Sequence, residues 1–154
     1  MNDRGVAPRH TPMSMGSYSL VMIDGTSLVT SALGPVDTAS RSGFSHVGRL
    51  GESLDANAGR EAAAIAARAL LSAVELRVGS LDAIESVVQL RGYLATTPDF
   101  GDHAAVMDGA SDLVVAVLGP RGEHARTTVG VASLPFGLPV VVELTARLRR
   151  GLER

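Results

Sequence analysis

The chain contains no cysteine. Disulfides, thiolate nucleophiles and thiolate metal sites are therefore excluded. Lysine is also absent, all 14 basic side chains being arginine, which rules out a Schiff base on a side-chain amine. There is no tryptophan, and aromatic residues make up 3% of the chain. The core must be built from Ala, Val, Leu and Ile, and little surface remains for stacking bases. No apolar run reaches the length of a membrane span. The formal net charge of −2 argues against a nucleic-acid partner, because neutralising phosphates needs a concentrated basic surface. The basic cluster Arg147, Arg149, Arg150 and Arg154 reads as a solvated end. His10, His46 and His103 share no metal-ligand spacing, and no glycine-rich phosphate loop precedes a helix. Neither a metal nor a cofactor is expected.

What is present is a globular composition, 45% hydrophobic and 19% charged over 154 residues, which suits one domain. Residues 1–15, with Asp3, Arg4, Pro8, Arg9, His10 and Pro12, read as a disordered leader. They lack the apolar core of a signal peptide, so a cytoplasmic location is expected. Residues 16–150 form the predicted domain, and 151–154 a tail.

The apolar spacing predicts an alternation of strands and helices. Tyr18–Met22 and Ser27–Ser31 read as strands around an Asp24-Gly25 turn, a strong hairpin signal. Residues 34–52 are rich in Gly, Ser and Pro and read as a loop with at most one short strand. Ala62, Ile65, Ala66, Ala69, Leu70, Ala73 and Leu76 recur at helical spacing. They predict a helix over 57–78, capped by Asn57, favoured at its positive end by Glu61 and stopped at Gly79. Residues 86–96 alternate as a strand, with Val88, Leu90, Gly92 and Leu94 on one face. Thr97-Pro98-Asp99 predicts the start of a second helix, which runs to Leu118. Strands follow at 126–132 and 139–148, with Val140, Val142, Leu144, Ala146 and Leu148 sharing a face. Strand, strand, helix, strand, helix, strand, strand implies an α+β fold, a sheet with two helices packed on one face. The sheet's other face needs a cover, and self-association is one way to supply it.

Arg126 opens a predicted strand after the loop 120–125. A guanidinium presents a planar fork that matches a carboxylate. The stretch from Gly122 to Pro135 (Gly-Glu-His-Ala-Arg-Thr-Thr-Val-Gly-Val-Ala-Ser-Leu-Pro) resembles the signature of the Rid family, the YjgF-like reactive-intermediate deaminases. Gly16-Ser17-Tyr18-Ser19, Gly25, Thr30-Ser31 and Pro35 fall at that family's spacing. Gly48-Arg49-Leu50-Gly51 and Asp99-Phe100 resemble its longer-loop branch.

The resemblance covers residues 16–148. It implies a chorismate-mutase-like fold and a homotrimer with ligand clefts between neighbours. It also implies hydrolysis of amino-acid enamines or imines to keto acids and ammonia. It makes Arg126 the carboxylate anchor, Tyr18 a pocket residue able to donate a proton, and Ser31 the residue before the pocket glycine. Four positions depart from the pattern. The pocket Gly is Ala32, the helix Asn is Asp108, a frequent Cys is Thr128, and the water-orienting Glu is Val141, which cannot polarise water. Glu143 projects from the same face as Val141, and His124 can act near neutral pH as acid or base. Three readings follow. The chain hydrolyses an imine or enamine, or it performs non-hydrolytic chemistry such as condensation, cyclisation or tautomerisation, or it binds a carboxylate without turnover. The family's older ribonuclease label finds no basic patch here.

Overall fold

Asp55 opens the first helix, α1 (Ala56–Val78). Its side chain accepts a hydrogen bond from the Ala58 amide at 2.8 Å. The expected cap, Asn57, lies instead inside the first turn, because the extended backbone of Asp55 places a carboxylate where the orphan amide points. Glu61 falls beyond the first turn, 3.7 Å from His46. Gly79 ends the helix in the left-handed region, as its position predicted. The computed structural model describes residues 13–151. Most of the expected leader and tail lies outside the described residues.

The strands are β1 (Val21–Asp24), β2 (Ser27–Thr30), β3 (Ile84–Ala95), β4 (Ala125–Val131) and β5 (Val140–Leu148), and the second helix is α2 (His103–Leu118). Strand order is β1-β2-β5-β3-β4, antiparallel throughout except for the parallel pair β3–β4. This is the expected α+β sheet with two helices. The apolar positions of β5 are all buried, and they face Leu28 of β2 and Leu90 and Leu94 of β3 within one core.

Four local expectations are corrected. The first strand begins at Val21, not Tyr18. Ser31 ties the preceding segment down, its hydroxyl donating to the Ser19 carbonyl at 2.8 Å and its amide to that of Leu20. The hairpin turn is Gly25-Thr26, with Asp24 paired to Ser27, because Gly25 takes φ 56°. Irregular pairing between Val87 and Gln89 turns Val87 into the core and leaves Val88 exposed, reversing the expected alternation there. Finally, α2 begins at His103. The Thr97 amide is already committed to the Leu50 carbonyl, and a turn from Thr97 to Phe100 intervenes.

Helices α1 and α2 approach closely through glycines. A Cβ on Gly109 would overlap the Arg60 carbonyl oxygen of α1, and one on Gly59 would press on Leu50 and Val106. On the sheet side, a Cβ on Gly92 of β3 would collide with Met107 of α2. These small residues set the height of α2 above β3 and β4, and so the position of its polar residues Asp108 and Ser111.

Candidate functional site

Register decides which face each candidate occupies. Arg126 of β4 lies beside Leu90, and Leu90 pairs with Leu144. Both neighbours are buried under the helices, so Arg126 belongs to the helix face, and Thr128, beside Gly92, shares it. Arg126 Nη1 donates to Asp108 Oδ1 at 2.8 Å and to Ser111 Oγ at 3.2 Å. Asp108 and Ser111 are three residues apart on α2, hence on one face of it. Both contacts use Nη1. Nε and Nη2 have no protein partner among the described residues, and the side chain keeps 26% exposure. One limb of the fork is therefore fixed while the other edge stays free for a planar anion.

Ser111 Oγ also lies 3.0 Å from His124 Nε2, and His124 Nδ1 lies 2.6 Å from the Gly122 carbonyl oxygen. Ser111 went unnoticed in the sequence. Its spacing from Asp108 is a helical one, but only the packing of α2 over β4 shows that both reach Arg126.

Val141 and Glu143 lie on the opposite face of the sheet, paired with Tyr93 and Arg91. Tyr93 donates to Glu143 Oε1 at 3.1 Å, and Arg91 Nη1 is 3.4 Å from the same oxygen. Gln89, next along, donates to Thr127 at 3.1 Å. Burial, and then the neighbouring Glu143 carboxylate, hold the Tyr93 phenol above its ordinary pKa of 10.0. Glu143 is thus occupied by two partners of its own sheet face. The alternation along this strand puts Arg91 and Tyr93 opposite Leu90, Gly92 and Leu94, but it does not show them as partners of Glu143.

Tyr18, Ala32 and Val141 come together at the start of β5. With Phe44, Phe136 and Leu138 they line a recess of about 260 Å³. Its walls are almost wholly apolar. Phe136 stands at its rim with φ 60°, the one non-glycine residue with positive φ among those described, and its ring is 5.7 Å from that of Phe44. Tyr18 is half exposed. Ser31 does not line the recess; it anchors the segment that carries Tyr18.

The predicted residues thus fall into two groups that a single chain keeps apart. Arg126, Asp108 and Thr128 sit at the edge strand on the helix side. Tyr18, Ala32 and Val141 sit two strands away at the recess. Among the described residues, no group of three or more His, Cys, Asp or Glu side chains is placed to hold a metal. No helix among them is long and apolar enough to cross a membrane.

Comparison with known proteins agrees with this architecture. Protein TCP17 of Trypanosoma cruzi is 40% identical over 102 residues, which span 66% of this chain and 64% of TCP17, less than two thirds of that relative. The crystal structure of Atu1372 from Agrobacterium tumefaciens superposes with a TM-score of 0.82 at 32% identity, over 86% of this chain and 82% of that one. The YjgF gene product of E. coli superposes with a TM-score of 0.65 over 90% of this chain and 94% of its own. At 21% identity, that last likeness speaks for the fold alone. The family described as Endoribonuclease L-PSP matches residues 8–148, nearly the full length, and the chain belongs to this family, the YjgF or Rid family.

Proposed function

We propose that this protein is a small-molecule enzyme that grips the carboxylate of an imine, enamine or keto acid through Arg126. The observation that carries the reading is the half-occupied guanidinium. Asp108 and Ser111 hold Nη1, and the Nε–Nη2 edge is left free on an accessible strand. A fork held at one limb loses less side-chain entropy when it captures a planar anion.

The site is completed by another copy of the chain. Arg126 lies at a sheet edge on one face, while Tyr18, Ala32 and Val141 lie around a recess elsewhere. A neighbouring subunit that lays its recess against the β4 edge brings carboxylate anchor and apolar recess onto one ligand. A closed homotrimer, as the family resemblance implies, satisfies this with one repeated contact. The open sheet face supports such packing, since Met22, Val29 and Val129 are exposed on it.

Two measurements test the reading. Calorimetric titration with 2-ketobutyrate or benzoate should give binding that Arg126→Ala weakens about a hundredfold, the scale for removing one member of a charged pair. Decay of 2-aminoacrylate or iminopropionate in the presence of the protein tests hydrolysis. No rate above background across several amino-acid-derived imines removes deamination. Binding that survives Arg126→Ala removes the anchor.

A second reading, non-hydrolytic chemistry on the same ligand, is favoured by one specific observation. Val141 lines the recess at the position where the family resemblance implies a water-orienting Glu, and Glu143 is engaged by Arg91 and Tyr93. An apolar recess without a water-orienting group protects reactive intermediates from hydrolysis.

A further inference from the structure

His124, Ser111, Arg126 and Asp108 form a continuous hydrogen-bonded chain from an imidazole ring to the proposed anchor. The Gly122 carbonyl can only accept, so at 2.6 Å it fixes the hydrogen of the neutral imidazole on Nδ1. Nε2 of that tautomer can only accept. It therefore takes the Ser111 hydroxyl hydrogen across 3.0 Å, and the Ser111 oxygen in turn accepts from Arg126 Nη1 at 3.2 Å. In this state an incoming carboxylate meets Arg126 already neutralised by Asp108, and a serine hydroxyl pointed away from it.

Protonation of His124 changes both conditions. Nε2 becomes a donor, so Ser111 Oγ accepts from His124 and Arg126 together, and its hydroxyl hydrogen is released to face a ligand. The site also gains a positive charge two hydrogen bonds from the guanidinium. Both changes act in the same direction on an anion. The surrounding charges are committed elsewhere or outward. On α2, Asp112 is paired with Arg60 of α1. Before β4, Arg121 is held by the Leu81 and Ile84 carbonyls and by Asp82, and Glu123 is exposed. This leaves Asp108 and Arg126 as the charged groups in the chain of hydrogen bonds.

We propose that His124 is a positioning residue which, through Ser111, makes carboxylate binding at Arg126 tighten when its ring takes up a proton. The inference rests on Arg126 being the carboxylate anchor, and the experiment separates the two. With the full chain and 2-ketobutyrate, whose carboxylate stays ionised throughout, Kd is measured by calorimetry at about pH 8 and about pH 5.5. Binding should be roughly threefold to tenfold tighter at the lower pH. His124→Gln keeps an acceptor for Ser111 but never titrates, so its Kd should stay flat at the alkaline value. Ser111→Ala should at least halve the slope, and Asp108→Asn should tighten binding at both pH values while keeping it. An unchanged slope in His124→Gln overturns the proposal and leaves the anchor standing. Binding undiminished in Arg126→Ala overturns the anchor itself. Nitrogen-15 spectra of the ligand-free chain decide the matter whatever ligand binds. The Nδ1–H tautomer, and a His124 titration displaced by Ser111→Ala, are expected. The Nε2–H tautomer, or an unmoved titration, overturns the relay.

Discussion

The surroundings of Arg126 and the recess at Val141 are built by opposite means. Around Arg126, the side chains of Asp108, Ser111 and His124 are polar, and each is held by a directed hydrogen bond. Around Val141, nearly every wall is apolar and held by shape. The first arrangement can recognise charge and the second can recognise volume. Separating them matters physically, because a guanidinium inside the recess would need desolvation with no partner to offset it. By placing the two on opposite faces of one sheet, the fold lets each be stable alone. In the proposed assembly, they meet where one molecule's edge strand lies against another's recess.

The hardest way to break this contrast is to move α2. Gly109→Ala introduces a Cβ against the Arg60 backbone, which cannot yield as a flexible side chain can. It should cost about 3 kcal/mol or more of unfolding free energy, read from urea denaturation. The folded fraction should also lose carboxylate affinity, since a displaced α2 no longer holds Arg126 Nη1 in place through Ser111 and Asp108. A mutant as stable as the parent would mean that the helices are not so closely seated.

Complementation sharpens the contrast. Arg126→Ala lacks the charged half, and Ala32→Trp fills the recess. Each alone should fail to bind 2-ketobutyrate. Refolded together in equal amounts, they should recover roughly a quarter of the sites, the share in which an intact edge meets an intact recess in a cyclic oligomer. No recovery would mean that both halves serve one chain alone.

Val141→Glu converts the recess from shape recognition to water activation. Iminopropionate hydrolysis should rise at least about tenfold, the lower range for a positioned general base being near a hundredfold. Because Val141 is partly exposed, the stability loss should stay within about 2 kcal/mol. An unchanged rate would place the reacting atoms away from this position.

The smallest effect concerns the open sheet face. Tyr93 has its pKa raised above 10.0 by burial and Glu143. Its neutral form is favoured in the folded state, so the stability it contributes is complete below the unfolded pKa and is lost as pH rises through the folded one. Unfolding free energy should fall more steeply above about pH 10 in the parent than in Tyr93→Phe. In a Tyr18→Phe background, the remaining tyrosine's phenolate absorbance reports the titration directly. Equal alkaline slopes would show the Tyr93–Glu143 bond to be absent in solution.

Much of the fold was legible because periodicity reports burial. Alternation in β5 named its five core residues correctly, and the alanine stripe named α1. Failures came where backbone hydrogen bonding overrode local preference. Asp55 displaced Asn57 as the cap, and the Thr97 amide was taken by Leu50, which delayed α2. At Val87 and Val88 two equally apolar neighbours gave no clue to the irregular pairing that sorts them. Arg126 could be singled out by its motif. Its partners could not, because Ser111 is separated from it by a strand connection, and its hydroxyl is one of many in the chain.

The sequence by itself determined the class of chemistry open to this protein. Without cysteine or lysine it can form no thioester or Schiff base through a side chain, and an arginine in the family's motif is the residue proposed to meet a carboxylate. It also determined the order of strands and helices, since the spacing of apolar residues is a local property of the chain. Tertiary structure alone decided which face each candidate occupies. Register is a relation between distant strands, and a shift of one residue exchanges the two faces. That relation put Arg126 under α2 with Asp108, Ser111 and His124, and left Val141 across the sheet beside Tyr93.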